Sequence, residues 1–139
     1  MKTKTERILI DTSGGVQVID ITSQVHQLLA ESDLKEGLAT VFVPGSTATV
    51  TTIEYEPGLV ADITKALDRI APRDGHYEHD QRWHDGNGHS HVRASFLKPS
   101  VTIPFSNKAL MLGTWQQLVF IELDVRPRNR TIVVQLIGD

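Results

Sequence analysis

A chain of 139 residues with 40% hydrophobic and 22% charged side chains is the size and composition of one ordinary globular domain, spanning residues 1–139, and is too apolar for a disordered segment. Fourteen Lys and Arg against seventeen Asp and Glu give a net charge of −3 with no long run of one sign, which argues against nucleic acid or an anionic membrane as partner. The absence of cysteine excludes disulfide scaffolds, thiolate zinc sites and cysteine nucleophiles, and fits a reducing compartment. Met1 to Arg7 leads into only a short apolar stretch, Ile8 to Ile10, so no signal peptide is expected. No apolar run approaches the ~20 residues needed to span a bilayer, and the expectation is a soluble, cytoplasmic protein. A compact chain of this length has a radius of gyration of about 14 Å. It can enclose little of a large substrate, which directs attention to clefts between subunits.

In chain order, Ile8–Ile10 and Val16–Ile21 read as strands around the turn formers Ser13, Gly14 and Gly15, which predicts a hairpin. Thr22 or Ser23 is placed to cap a helix carrying Val25, Leu28 and Leu29, closed by Glu36-Gly37. Leu38–Val43 and Ala48–Tyr55 are strand-like on either side of Pro44-Gly45. Pro57 opens a helix with Leu59, Val60, Ile63, Leu67 and Ile70 at helical spacing, ended by Pro72, with Glu56 or Asp62 complementing the dipole. From Arg73 to Gly88 the apolar period is lost, which predicts a long loop of the kind that often carries function. A short helix near 89–97 rests on Gly88 before it and the Val92/Phe96 couple within it. Strands are predicted at 101–105, 109–112, 118–125 and 131–137. Seven or eight strands with two or three helices, not strictly alternating, predict an α+β domain built on a largely antiparallel β-sandwich.

Five of the six histidines, His76, His79, His84, His89 and His91, lie within sixteen positions, where an even spread would place fewer than one. Neutral imidazole is a good ligand for zinc and similar divalent ions, and Glu78, Asp80 and Asp85 in the same window can orient ring nitrogens. In a helix, His89 and His91 point about 200° apart and do not easily share one ion. His91 is therefore the stronger ligand candidate, with His79 approaching from the loop and His89 as the weakest third. The plain alternative is a polar surface loop that happens to contain histidines. His26, on an amphipathic helix with no acidic or histidine neighbour at ligand spacing, reads as structural.

Three further segments invite chemistry. Gly45-Ser46-Thr47-Ala48-Thr49 offers hydroxyls and backbone N–H groups to an oxyanion, but lacks the lysine and the following helix of a phosphate-binding loop. Glu54, on a Thr- and Ile-rich strand, is either a solvated outer residue or an inward carboxylate. Trp115 in Thr114-Trp115-Gln116 suits stacking a heterocycle, with core or subunit packing as the alternative. Arg126-Pro127-Arg128-Asn129-Arg130, with Arg93, supplies forks that fit phosphate, although a solvated turn is the default reading.

Taken together, Pro44-Gly45-Ser46-Thr47-Ala48 with Ile53-Glu54, Tyr77-Glu78-His79-Asp80, Asp85 through Ser95, and Pro99-Ser100-Val101-Thr102-Ile103-Pro104 through Leu112-Gly113-Thr114-Trp115-Gln116 resemble the YjbQ-type proteins, often labelled secondary thiamine-phosphate synthases. The resemblance covers nearly the whole chain. It implies a single α+β domain with a β-sandwich, a homotrimer with a polar pocket near the subunit interface, and a weak activity joining a pyrimidine pyrophosphate to a thiazole phosphate. It matches His79 and His91 to the family's recurring histidines, Glu54 to its recurring acid and Thr114-Trp115-Gln116 to its tryptophan turn. Many members carry histidine where this chain has Ser46; if that histidine binds metal elsewhere, the resemblance implies either that His89 replaces it here or that the site binds metal more weakly.

The resulting expectation is metal-assisted chemistry on a small phosphorylated metabolite, using zinc or magnesium. His79, His89 and His91 are assigned to the metal, Glu54, Asp85 and His91 to catalysis, and Ser46, Thr47, Arg93, Thr114, Trp115 and Gln116 to substrate. A metal-dependent hydrolase or transferase on another phosphorylated metabolite, or a non-catalytic trimeric module binding a metabolite or metal, are the alternatives.

Overall fold

Side chains alternate across a strand, and the apolar members of each alternation meet in one core. Ala39 and Val41, Ile103 and Phe105, and Ile132, Val134 and Leu136 face inward from one sheet, and Ala48, Val50, Leu118 and Phe120 from the other. The computed structural model of residues 1–139 is accordingly two stacked antiparallel sheets in a single α+β domain. The strands are β1 (Lys2–Asp11), β2 (Gln17–Asp20), β3 (Gly37–Phe42), β4 (Ala48–Ile53), β5 (Ser100–Ser106), β6 (Ala109–Leu110), β7 (Gln117–Glu122) and β8 (Asn129–Gly138). The first sheet has the order β1-β8-β3-β5-β6 and the second β2-β7-β4.

Four helices occur, α1 (Thr22–Ala30), α2 (Pro57–Ile70), α3 (Glu78–Trp83) and α4 (Gly88–Leu97). The central strand β7 explains where two of them go. Its run Leu118–Ile121 is buried on both faces, so Leu118 and Phe120 join the inter-sheet core, while Val119, Ile121 and the following Leu123 form a second core with Leu67 of α2 and Ala94 of α4. The sandwich thus carries a third, helical layer, and that layer holds the polar residues discussed below.

Several local expectations are corrected. β1 and β2 do not form a hairpin: β1 pairs with β8 and β2 with β7, so the chain changes sheets at Ser13-Gly14-Gly15. Gly14, at φ +84, packs where a Cβ would meet the Arg126 backbone at 2.7 Å, a close approach that favours glycine. Neither Thr22 nor Ser23 caps α1. Asp20 instead accepts from the Thr22 amide at 2.9 Å and from its hydroxyl at 2.6 Å. At α2, Glu56 is the N-cap as its charge predicts, accepting from the amides of Gly58 and Leu59 ahead of Pro57. The segment 73–88 is not wholly loop, because Glu78–Trp83 closes one and a half helical turns as α3. α4 begins where expected, yet Phe96 is exposed and the buried face is polar, with His89, Ser90, Arg93 and Ala94 turned inward.

Candidate functional site

Helix α4 sorts the histidines by its own geometry. His89 and His91, two residues apart, emerge on opposite sides, as a period of 3.6 requires. The His91 side faces α3, and the His79 ring packs on the His91 ring with centroids 4.3 Å apart and planes tilted by 38°. The join between the helices makes this contact possible. His84 ends α3 in a left-handed conformation, φ 57, and Gly86 follows at φ 67. The Gly88 amide then donates to Asp80 Oδ1 at 2.9 Å. Gly88 also admits Tyr77, since a Cβ there would lie 2.6 Å from the tyrosine's Cβ.

Around His79 this fold gathers two carboxylates. His79 Nδ1 lies 3.6 Å from Asp80 Oδ1 and 3.5 Å from Asp85 Oδ1, close enough for attraction but without a hydrogen bond. Nδ1 is enclosed and has no partner at all. The donor atoms of His79, Asp80 and Asp85 all lie within 4.8 Å of one another, a grouping able to hold a metal ion. His91 stacks against this group without supplying one of its donors, and His89 is not in it; the grouping itself is one imidazole and two carboxylates. Burial, followed by the neighbouring His79, lowers the His91 pKa and favours its neutral ring, while Asp124, Asp85 and Asp80 pull the other way. A cavity of about 190 Å³ opens beside His91, lined by Gly45, Ser46, Ala48, Ala94, Ser95 and Pro99. Ser46 is exposed at its edge.

Beneath this site runs a charged network that the sequence reading missed. Glu122 and Asp124 are fully buried at the end of β7, and Arg130 and Arg128 hold them at 2.6 Å each. The Arg126–Arg130 segment is therefore not simply a solvated turn. Thr47 links the two pairs, donating to Asp124 Oδ2 at 3.0 Å and accepting from Arg130 Nη2 at 2.8 Å. Its hydroxyl is committed within the protein rather than offered to a ligand. Asn87 lies between Asp124 and Asp85: its amide nitrogen reaches Asp124 Oδ1 at 3.4 Å in one orientation of the amide and both Asp85 oxygens, at 2.9 and 3.2 Å, in the other. Burial alone would raise both acids. Donation from Arg130 and the backbone to Glu122, and from the Val125 amide and Arg128 to Asp124, outweighs it and leaves both pKa values lowered. The readable signal was two acids directly after the apolar run Leu118–Ile121, matched by arginines at alternate positions.

Other candidates lie elsewhere. Glu54 is exposed beyond the far end of β4, whose six residues at about 3.3 Å each separate it from Thr47 by roughly 20 Å. Thr114, Trp115 and Gln116 share that end, where Gln116 Nε2 donates to Thr52 Oγ1 at 3.0 Å and Trp115 is 71% exposed, so the indole is not core. Arg93 is buried on the His89 side of α4, donating to Ala71 O at 3.0 Å and Asp68 at 2.6 Å. His76 is exposed beside Glu78, and His84 is the exposed cap of α3.

A family model described as UPF0047 protein YjbQ-like matches residues 6–139. The chain belongs to the YjbQ-like UPF0047 family. Among relatives, a UPF0047 protein of Methanothermobacter thermautotrophicus is 40% identical over 138 residues, covering 99% of this chain and 94% of the relative. The UPF0047 protein YugU of Bacillus subtilis is 33% identical over 131 residues, covering 93% of this chain and 96% of its own. Among solved structures, an Aeropyrum pernix protein superposes with a TM-score of 0.91 at 32% identity, covering 98% of this chain and 99% of that one. A YjbQ/UPF0047 protein of Clostridium acetobutylicum superposes with a TM-score of 0.86 at 38% identity, covering 95% and 99% respectively. The sandwich with its helical layer is thus the YjbQ-like fold. No helix in this member is long and apolar enough to cross a membrane.

Proposed function

We propose that the chain is a metal-assisted enzyme of the cytoplasm acting on a small phosphorylated metabolite, with the joining of a pyrimidine pyrophosphate to a thiazole phosphate as a weak activity. The observation that carries the reading is the enclosed, unpartnered His79 Nδ1 flanked by Asp80 and Asp85. A buried ring nitrogen left without a partner costs about 1–3 kcal/mol, a cost that coordination would remove. In the donor set the imidazole and both carboxylates suit zinc, and the two carboxylates alone suit magnesium. A divalent ion there would supply charge stabilisation to a departing pyrophosphate. The chain's own contributions are distinct: Asn87, in the amide orientation that meets Asp85, orients that carboxylate, Asp80 is fixed by the Gly88 amide, neutral His91 is placed to hold or pass a proton, and Ser46 borders the substrate cavity.

Glu54 and the Thr114-Trp115-Gln116 turn enter this reading through assembly. Both sit at the opposite end of β4 and β7 from His91, and Trp115, Met111 and Tyr55 are exposed there, which supports a homotrimer whose site takes residues from two chains. Titration of the metal-free protein with zinc and with magnesium, repeated on His79→Ala and Asp85→Asn, tests the metal site. At least ten-fold weaker binding in both variants is expected, and unchanged affinity in both discards the reading. Turnover unaffected by Asp85→Asn and Glu54→Gln would favour a non-catalytic binding module.

A further inference from the structure

Helix α4 has a second polar face that the His79 cluster does not use. There His89 is 3% exposed, and its Nδ1 is enclosed without a hydrogen-bond partner. The ring borders a cavity of about 210 Å³ between α2, α4, the Gly15 turn and the chain leaving β7 at Leu123–Val125. Arg73, Arg93, Asp68, Asp124 and Thr64 also line it.

The charges in this cavity do not cancel group by group. Asp124 is already held by Arg128 at 2.6 Å and Thr47 at 3.0 Å. Asp68 is held by Arg93 at 2.6 Å. Arg93 spends only its Nε and Nη2 groups on Ala71 and Asp68, leaving donors on Nη1. Arg73 is exposed at the rim and pairs with no acid. The groups left over are a free guanidinium, part of a second one, and a buried imidazole, all of which can donate to an oxyanion. The Gly15 edge stays open, since nothing lies within 4 Å of a Cβ built there.

We infer that this cavity is a second anion site, taking a phosphate group between Arg73, Arg93 and His89, whether as free phosphate or as the headgroup of a small phosphomonoester. It is separated from the His79 cluster by the body of α4 and needs no metal, so it stands or falls independently of the reaction proposed above.

The test is an NMR titration of the full-length, isotope-labelled chain with inorganic phosphate and, separately, with glycerol 3-phosphate, at ionic strength held constant with chloride. Saturable shifts are expected at the His89 ring nitrogens and Arg93 Nε. Arg73→Ala, which removes no internal hydrogen bond, should weaken binding about ten-fold or more, and His89→Phe should weaken it in a chain shown to be folded by its unchanged amide spectrum. His76→Ala, exposed and lining neither cavity, should leave affinity unchanged. Tighter binding of glycerol 3-phosphate would identify a phosphomonoester as the occupant, and equal binding would identify the free ion as sufficient. Non-saturating shifts, shifts centred on His79 and His91, or an affinity indifferent to Arg73→Ala would overturn the inference.

Discussion

Removing the arginine from the buried Glu122–Arg130 pair should be among the most damaging single substitutions in the protein, and its pH dependence should reveal why. Glu122 is 0% exposed and takes Arg130 Nη2 at 2.6 Å and Nε at 2.8 Å, one on each carboxylate oxygen. Arg130→Ala leaves it with Thr12 Oγ1 at 2.8 Å and the amides of Leu123 and Asp124 at 3.1 and 3.0 Å. Breaking a buried pair on one side costs about 3–5 kcal/mol, and the three surviving donors place this case near 3 kcal/mol. In a domain of this size that lowers the melting temperature by roughly 10 °C. In the parent protein the Glu122 pKa is lowered from 4.5, so its stabilisation is present above that value and is lost as pH falls through the folded-state pKa. In the variant, burial dominates and raises the pKa, so the ionised group destabilises the fold at neutral pH. The gap between parent and variant should therefore begin to narrow above pH 4.5, as the variant's raised carboxyl takes up its proton, and go on narrowing as pH falls toward the parent's lowered folded-state pKa. Urea unfolding of both proteins from pH 3 to pH 7 checks this. A loss under 1 kcal/mol at pH 7, or a gap that does not shrink in acid, would refute the electrostatic account.

Thr47→Val should cost about 1–3 kcal/mol, measured by urea unfolding, because the hydroxyl bridges Asp124 and Arg130 and its loss leaves both short of a partner. Gly88→Ala should force Tyr77 away from a 2.6 Å contact and disturb the α3–α4 join, weakening zinc or magnesium binding more than it lowers the melting temperature. Trp115→Ala should change unfolding free energy by no more than about 0.5 kcal/mol at a protein concentration where the chain is monomeric, since the indole is 71% exposed. On the trimeric reading the same variant should sediment as a smaller species than the parent.

The elements that local chemistry controls are legible in the sequence. Pro57 with Glu56 starts α2 and Ala71-Pro72 ends it, because a helix needs an acceptor for its first amides and cannot pass proline. The opposed directions of His89 and His91 followed from helical period alone, as did the prominence of the window 76–91. Elements that depend on partners were not legible. Ser13-Gly14-Gly15 looks like a hairpin turn, yet it carries the chain from one sheet to the other, because the strands on either side have better partners in β8 and β7. The six residues of α3 contain no apolar stripe to announce a helix, and its contacts with α4 through Asp80 and Tyr77 are tertiary.

What the sequence determined by itself was the α+β class, the strand-rich core and the clustering of histidines between residues 76 and 91, since these depend on residue type and on spacing along the chain. Only the tertiary structure decided that His79 joins Asp80 and Asp85, that Thr47 serves the buried Glu122 and Asp124, and that His89 and Arg93 face a separate cavity. The reason is physical: a hydrogen bond or a coordination site is set by distances of about 3 Å between groups far apart in the chain, and side-chain spacing along one element says nothing of what faces it from another.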